Sequence, residues 1–310
     1  MPELPDITIY VEALARRIVA RPLVRIRAAS PFLVRTAHPP IQTLEGQTVA
    51  AVGRSGKRIV ITFEGGAILA LYLMVGGRLH WRADGAKIPA RVGLAALDFA
   101  GGTLVLTEAS KQKRAAIHIL ADEAAFAALA REGLEPIGAT LAAFAERLRR
   151  ENHTLKRSLT DPDLFSGIGN AYSDEILHRA RLSPIRLART LTGDEIERLW
   201  RAPSASLTEW IDRLREGAGE EFPEGVTAFR EGMAVHGRFG QPCPDCGTAI
   251  QRLVYAENEA NYCPTCQTGG RFLADRSLSR LLRGDWPRTI ADYEARTAAA
   301  RERIAATPLE

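Results

Sequence analysis

Arg58-Ile-Val-Ile-Thr-Phe63, Glu64-Gly-Gly66, Ala67-Ile-Leu-Ala-Leu-Tyr-Leu-Met-Val75 and Gly76-Gly77 follow one another without a gap: two β-type runs closed by glycine turns. The pattern extends over about residues 22 to 125, with Leu94 to Phe99, Gly101-Gly102 and Thr103 to Leu106 repeating it. Short runs at this spacing predict a sandwich or barrel of antiparallel strands. The run from Ala67 to Val75 is the longest apolar one and is too short to span a membrane, so it reads as a buried strand. Acidic Glu3 and Asp6 occupy the place of a basic n-region, which argues against an export signal and for a cytoplasmic protein.

Helical patterns flank the β-rich part. Residues 6–20 predict an amphipathic helix with Asp6 as N-cap, Ile7, Tyr10, Val11, Leu14 and Ile18 inward, and Arg16 and Arg17 toward water. From about 123 to 220 the chain is rich in Ala, Leu, Glu and Arg, as in Ala125 to Ala130 and Leu141 to Arg150. The expected class is α+β and multi-domain. Its parts are a β-sandwich with leading helix (1–125), a helical domain (126–238), a zinc finger (239–270) and a basic extension (271–310). A formal charge of +4 and a pI near 9.0 favour a polyanionic partner.

All four cysteines lie in one window, Cys243-Pro-Asp-Cys246 and Cys263-Pro-Thr-Cys266. Two Cys-x-x-Cys knuckles at this spacing predict a closed, structural Zn2+ site rather than disulfides. Phe165-Ser-Gly-Ile-Gly-Asn170-Ala-Tyr-Ser-Asp-Glu175 carries Gly167 and Gly169 in a tight inter-helix turn, where the backbone must approach something closely. Asn170 then starts a helix, as a plain N-cap or as part of a phosphate grip. Met1-Pro2-Glu3-Leu4-Pro5-Asp6 also admits two readings. Without Met1 the chain begins with a secondary amine beside a carboxylate, a pair suited to nucleophilic attack and proton transfer; alternatively, Pro2 and Pro5 merely shape the start of a helix.

Together these pieces resemble the formamidopyrimidine-DNA glycosylase/endonuclease VIII family. Pro2-Glu3-Leu4-Pro5 is similar to its N-terminal signature, and Gly53-Arg-Ser-Gly-Lys57-Arg58 to its phosphate-contacting lysine turn. Met74 before Gly76-Gly77 fits the loop whose methionine fills the gap left by an extruded base. Gly167-Ile-Gly169-Asn170-Ala-Tyr172 matches the helix–two-turn–helix motif, and Val235-His-Gly-Arg238 leads into the finger cysteines as in the family. The resemblance implies a bifunctional glycosylase and AP lyase of base-excision repair, acting on damaged DNA as a monomer at the nucleoid. Pro2 would attack C1′ of the flipped nucleotide, Glu3 would serve as acid and base, and Lys57 and Asn170 would hold phosphates.

Two departures stand out. Asn258 occupies the position of the family's finger arginine, and an uncharged amide cannot repeat a bidentate phosphate contact. The loop expected to supply arginine and phenylalanine wedges reads Thr107-Glu-Ala-Ser-Lys-Gln-Lys-Arg-Ala115, with Lys111, Lys113 and Arg114 as DNA-gripping charges but no aromatic. Since an orphan base exists only in a duplex, this loop leads us to expect oxidised pyrimidines or abasic sites in single-stranded DNA to be handled at least as well as in duplex. Glu221 to Met233 is expected to shape the base pocket, and Arg271, Arg276, Arg280, Arg283 and Arg288 to line either a phosphate track or a solvated face. A damage-sensing protein with decayed catalysis is the rival reading. It gives no reason to keep both Pro2 and Glu3, and a zinc-ribbon transcription factor would leave the Pro-Glu start idle.

Overall fold

The computed structural model describes residues 1–227, 229–255, 258–273 and 287–306. Its chain divides into two compact units, each drawn from separate stretches of sequence. The first holds Met1–Ala143, Asp161–Gly169 and Leu207–Ala228; the second holds Phe144–Thr160, Asn170–Ser206 and Phe229–Glu310.

The first unit is an antiparallel β-sandwich with a helix at its start. One sheet runs in the order β1 (Leu23–Ala28), β6 (Gly93–Phe99), β7 (Gly102–Glu108), β5 (Gly77–Arg82). The other runs β2 (Val49–Ser55), β3 (Arg58–Phe63), β4 (Ile68–Tyr72), β8 (Ala116–Leu120). Alternating strand residues such as Ile59, Ile61, Leu69 and Leu71 meet Leu97, Leu104 and Leu106 in one core. Helix α1 (Leu4–Ile18) lays Ile7, Tyr10, Leu14 and Ile18 into it, the face its periodicity predicts. Helix α2 (Glu123–Leu129) packs Ala125, Phe126 and Leu129 on Val60, Ile68, Ala70 and Leu120.

Helix α1 begins two residues before the expected Asp6. Glu3 is the N-cap, with extended backbone, and the buried Asp6 carboxylate reaches back to accept from the Glu3 N–H at 2.8 Å. Pro5 lies within the first turn, where a missing N–H costs nothing. The expected strand from Ala67 to Val75 is trimmed to β4, because Met74 turns into the left-handed region at φ +52.

Helix α3 (Leu141–Arg150) starts in the first unit and supplies Phe144 and Leu148 to the second. There α4 (Leu155–Thr160), α5 (Asn170–Ala180) and the first part of α6 (Gly193–Ala218) bury Leu155, Leu159, Ile176, Leu177 and Leu199. The finger follows as a hairpin, β9 (Gln251–Tyr255) with β10 (Asn258–Tyr262), and short α7 (Pro264–Thr268). Of the basic extension, Arg271 pairs through its backbone with Thr289, just before α8 (Ile290–Ala306); Arg276, Arg280 and Arg283 lie outside the described residues. No helix among the described residues is long and apolar enough to cross a membrane.

Candidate active site and metal centre

The start of the chain is buried in the first unit. Pro2 is buried, Leu4 is fully buried, and Glu3 is 3% exposed. What holds them is the segment through Gly167 and Gly169: the Leu4 N–H donates to the Gly167 carbonyl at 2.9 Å, and the Gly169 N–H donates to Glu3 Oε2 at 2.6 Å. A Cβ on Gly169 would lie 2.6 Å from the Glu3 carboxyl carbon, and one on Gly167, at φ +76, would lie 2.8 Å from Leu4 Cβ. The close approach that Gly169 signals is therefore to the chain's own Glu3 carboxylate, and that of Gly167 to the Leu4 side chain. A charged N–H···O contact in a buried setting fixes that carboxylate in one orientation.

Lys57 enters from the turn between β2 and β3, where Gly56 takes φ +60. Its side chain is half-buried and makes no hydrogen bond or ion pair among the described residues. Burial pushes its ammonium pKa down, opposed by the Glu3 carboxylate. The amino terminus, carried here by Met1, is likewise held below the usual α-amine value. Burial is the main cause; Arg78 and Lys57 add to it, and Glu3 and Asp6 oppose it. The Met1 amine, Glu3 and Lys57 thus act on one another electrostatically, and burial leaves more of that amine neutral than in a free peptide.

Met74 is half-buried in the turn between β4 and β5. The loop from Thr107 to Ala115 is closed around buried Glu108, whose carboxylate accepts from Ser110 Oγ at 2.7 Å and from the backbone N–H of Arg114 and Ala115 at 2.8 and 3.0 Å. The Lys113 ammonium donates to the Glu108 carbonyl, and Arg114 donates to Gln112 Oε1 at 2.6 Å. Lys111 is exposed and has no such partner among the described residues. The three cations of this loop therefore differ: two are bonded to the loop itself and one points out.

In the second unit Asn170 is the first residue of α5, as expected, and its Nδ2 donates to the Glu259 carbonyl of β10 at 2.8 Å. Asn258 is the neighbouring residue, paired with Tyr255 across the hairpin. Sequence reading missed the groups that tie α5 to α4 and to the segment leading into the finger. Asp174, fully buried, takes the Lys156 ammonium at 2.6 Å and His236 Nδ1 at 2.8 Å. Glu175 accepts the N–H groups of Ala234, Val235 and His236 at 2.7–2.9 Å. Adjacent acids at helix positions facing a Val-His-Gly run were the signal available. Paired and hydrogen-bonded, such buried charges fix one arrangement of the segments that carry them.

The four cysteines are unpaired thiols whose sulfurs lie within 4.8 Å of one another, with Cys246 and Cys263 at 3.4 Å and Cys243 and Cys266 at 3.9 Å. Zinc–sulfur bonds of about 2.3 Å in a tetrahedron place sulfurs about 3.8 Å apart, so the cluster fits the ion. With four protein ligands no position is left open for chemistry. His178 Nε2 stands 3.3 Å from Cys243 Sγ, an outer-sphere contact of the kind that orients metal ligands.

Three family models match this chain. The formamidopyrimidine-DNA glycosylase N-terminal domain covers residues 1–116, the H2TH domain of the same glycosylase 129–219, and the zinc finger found in FPG and IleRS 240–269. A formamidopyrimidine-DNA glycosylase of Chloroflexus aggregans is 32% identical over 278 residues, 86% of this chain and 98% of that protein. The crystal structure of MutM (Fpg) from Thermus thermophilus superposes with a TM-score of 0.73 at 31% identity, covering 86% of this chain and 98% of that one. A Lactococcus lactis Fpg in complex with abasic-site DNA has the same fold, with a TM-score of 0.77 at 24% identity over 86% and 99% of the two chains. The finger model and the sulfur cluster together assign Cys243, Cys246, Cys263 and Cys266 to a structural zinc ion.

Proposed function

The chain belongs to the formamidopyrimidine-DNA glycosylase family of DNA-repair enzymes, and from that premise we propose that it is bifunctional, excising an oxidised base and then cleaving the strand as an AP lyase. The observation that carries this is the grouping of the amino terminus, Glu3 and Lys57, with Glu3 held by the Gly169 N–H. After removal of Met1 the Pro2 nitrogen attacks C1′ of a flipped nucleotide and the base departs with the glycosidic electron pair. Glu3 takes the proton that the Pro2 nitrogen loses after attack and gives it to the ring oxygen as the C1′–O bond breaks and the sugar opens, which leaves an iminium between Pro2 and C1′. Proton removal from C2′ then expels the 3′ phosphate, and a second elimination expels the 5′ phosphate. Lys57 would hold a phosphate beside the lesion, and Asn170 would do so at the head of α5 with the helix's first amides. Zinc takes no part in these steps; when bound it supplies folding energy to the finger.

Relatives crystallised with abasic-site DNA support damaged DNA as the ligand, here engaged by a monomer acting in the cytoplasm on the nucleoid. The preferred lesions are oxidised pyrimidines and abasic sites, in single-stranded or locally opened DNA at least as much as in duplex. The loop closed on Glu108 supports this, because it offers no aromatic to fill a duplex gap. Matched single- and double-stranded oligonucleotides carrying one lesion, compared at fixed salt, should be cleaved at similar rates or faster when single-stranded. A reproducibly faster duplex reaction would overturn that preference.

A second test concerns Glu3. Gly169→Ala places a methyl group against the carboxylate, and a displacement on the order of 1 Å at a catalytic group costs about 100-fold in rate. We expect cleavage of an abasic oligonucleotide to fall by that order while zinc content stays at one per chain. Wild-type cleavage by this variant would show that Glu3 does not need its present position.

A further inference from the structure

A single exposed phenylalanine is ordinary on a protein surface, but Phe229 is both exposed and held flat. It lies in the second unit, just before the Val235-His-Gly-Arg238 run, and is 70% exposed. Its ring is stacked on the His236 imidazole, with centroids 5.4 Å apart and planes 17° from parallel. Gly237, at φ +70, makes room for it: a Cβ there would lie 2.7 Å from Phe229 Cδ1. One side of the ring is therefore laid along residues 236–237, and the remainder faces outward.

The floor under the ring is fixed from several directions. His236 Nδ1 is bonded to the fully buried Asp174 at 2.8 Å, and the His236 N–H donates to Glu175 at 2.9 Å. The Gly237 N–H donates to Asn261 Oδ1 at 2.8 Å, and Arg238 Nη1 donates to the Met233 carbonyl at 3.0 Å. All of these residues belong to the same unit as Phe229. A ring seated on such a floor has little freedom left to lose when something stacks on it.

The shape of this surface selects its occupant. A flat ring in offset stacking on a second flat ring is extended best by a third planar group with a π face. DNA presents such a group wherever a base has left its pair, and aromatic side chains are the usual platforms for unpaired bases. A hydrocarbon ring carries no donor or acceptor, so it takes any base and reads none. The positive charge of the chain, with Arg230 directly after Phe229, favours the strand that carries the base.

We propose that Phe229 is a stacking platform for an unpaired base of single-stranded or locally opened DNA, undamaged bases included. This rests on the DNA-glycosylase reading above and adds to it a binding subsite with no part in the chemistry. Affinity gained there accrues to single strands and not to a closed duplex, whose bases are already stacked on one another.

The test uses the full-length, zinc-loaded protein, an unstructured and undamaged single-stranded oligonucleotide, and the fully paired duplex of the same sequence. Phe229→Leu keeps the apolar bulk and removes the π face. It should weaken single-strand binding about tenfold, the order of one lost base–aromatic stack, and leave duplex binding within about twofold. Phe229→Trp should keep single-strand affinity, and its added tryptophan emission should be quenched by the single strand and not by the duplex. Unchanged single-strand affinity in Phe229→Leu, an equal loss on single strand and duplex, or a tryptophan at 229 that the single strand does not quench would each overturn the proposal. Binding needs no chemistry, so a wild type that leaves abasic DNA uncut would sink the lyase reading alone, while these measurements would still decide the platform.

Discussion

Borohydride added to the Met1-processed protein and an abasic oligonucleotide is expected to yield a covalent protein–DNA adduct through Pro2, and Glu3→Gln should lower strand cleavage by about 100-fold or more, the usual span for a positioned general acid–base group. The Met1 amine is held below the usual α-amine value, mainly by burial and with Arg78 and Lys57 adding to it against Glu3 and Asp6, and the Pro2 amine is expected to meet the same surroundings once Met1 is removed. Glu3→Gln keeps the size of the side chain and an acceptor for the Gly169 N–H, so the variant should fold and lose only proton transfer. Mass analysis of the trapped adduct locates the linkage. Full trapping by protein shown to retain Met1 would remove Pro2 from the role of nucleophile.

Loss of the finger is the other large effect. Cys263 is fully buried, accepts from the Cys266 N–H at the start of α7, and packs with Val235, Cys243 and Ile250. Structural zinc contributes an apparent 10–16 kcal/mol, roughly, to the folding of such small modules, which have little core of their own. Metal analysis should therefore find one zinc per chain. Cys263→Ser, or prolonged chelation, should release the ion, unfold residues 240–269 and weaken DNA binding steeply. The β-sandwich should keep its circular-dichroism signature, because its core draws on none of these side chains. Full DNA affinity in metal-free protein would count against the assignment.

Local chemistry accounts for what could be read in advance. The sandwich was legible because short β-type runs, broken by turns such as Gly65-Gly66 and Gly101-Gly102, leave few other folds for residues 22 to 125. The zinc site was legible because four cysteines in two knuckles admit few alternatives. The N-cap was misread by three residues, since proline inside a first turn and proline before a helix look alike in sequence. What stayed hidden depends on contacts distant along the chain. Nothing near Gly169 says that its neighbour is Glu3, and nothing near Asp174 and Glu175 says that residues 234–236 will be hung from them. The bonds of Lys113 and Arg114 back into the loop follow from the fold around Glu108 and were likewise not visible in the run itself.

The hydrogen bond from Gly169 to Glu3 has a consequence for biosynthesis. The proposed nucleophilic end leaves the ribosome first, and the donor that fixes Glu3 beside it is made 166 residues later. A nascent or truncated chain that ends before Gly169 would carry the amine and a β-sandwich but an unanchored carboxylate. On the proposed mechanism, competence to cleave DNA is thereby deferred until translation has passed the helix–turn segment, and unfinished copies released beside DNA would lack an anchored Glu3.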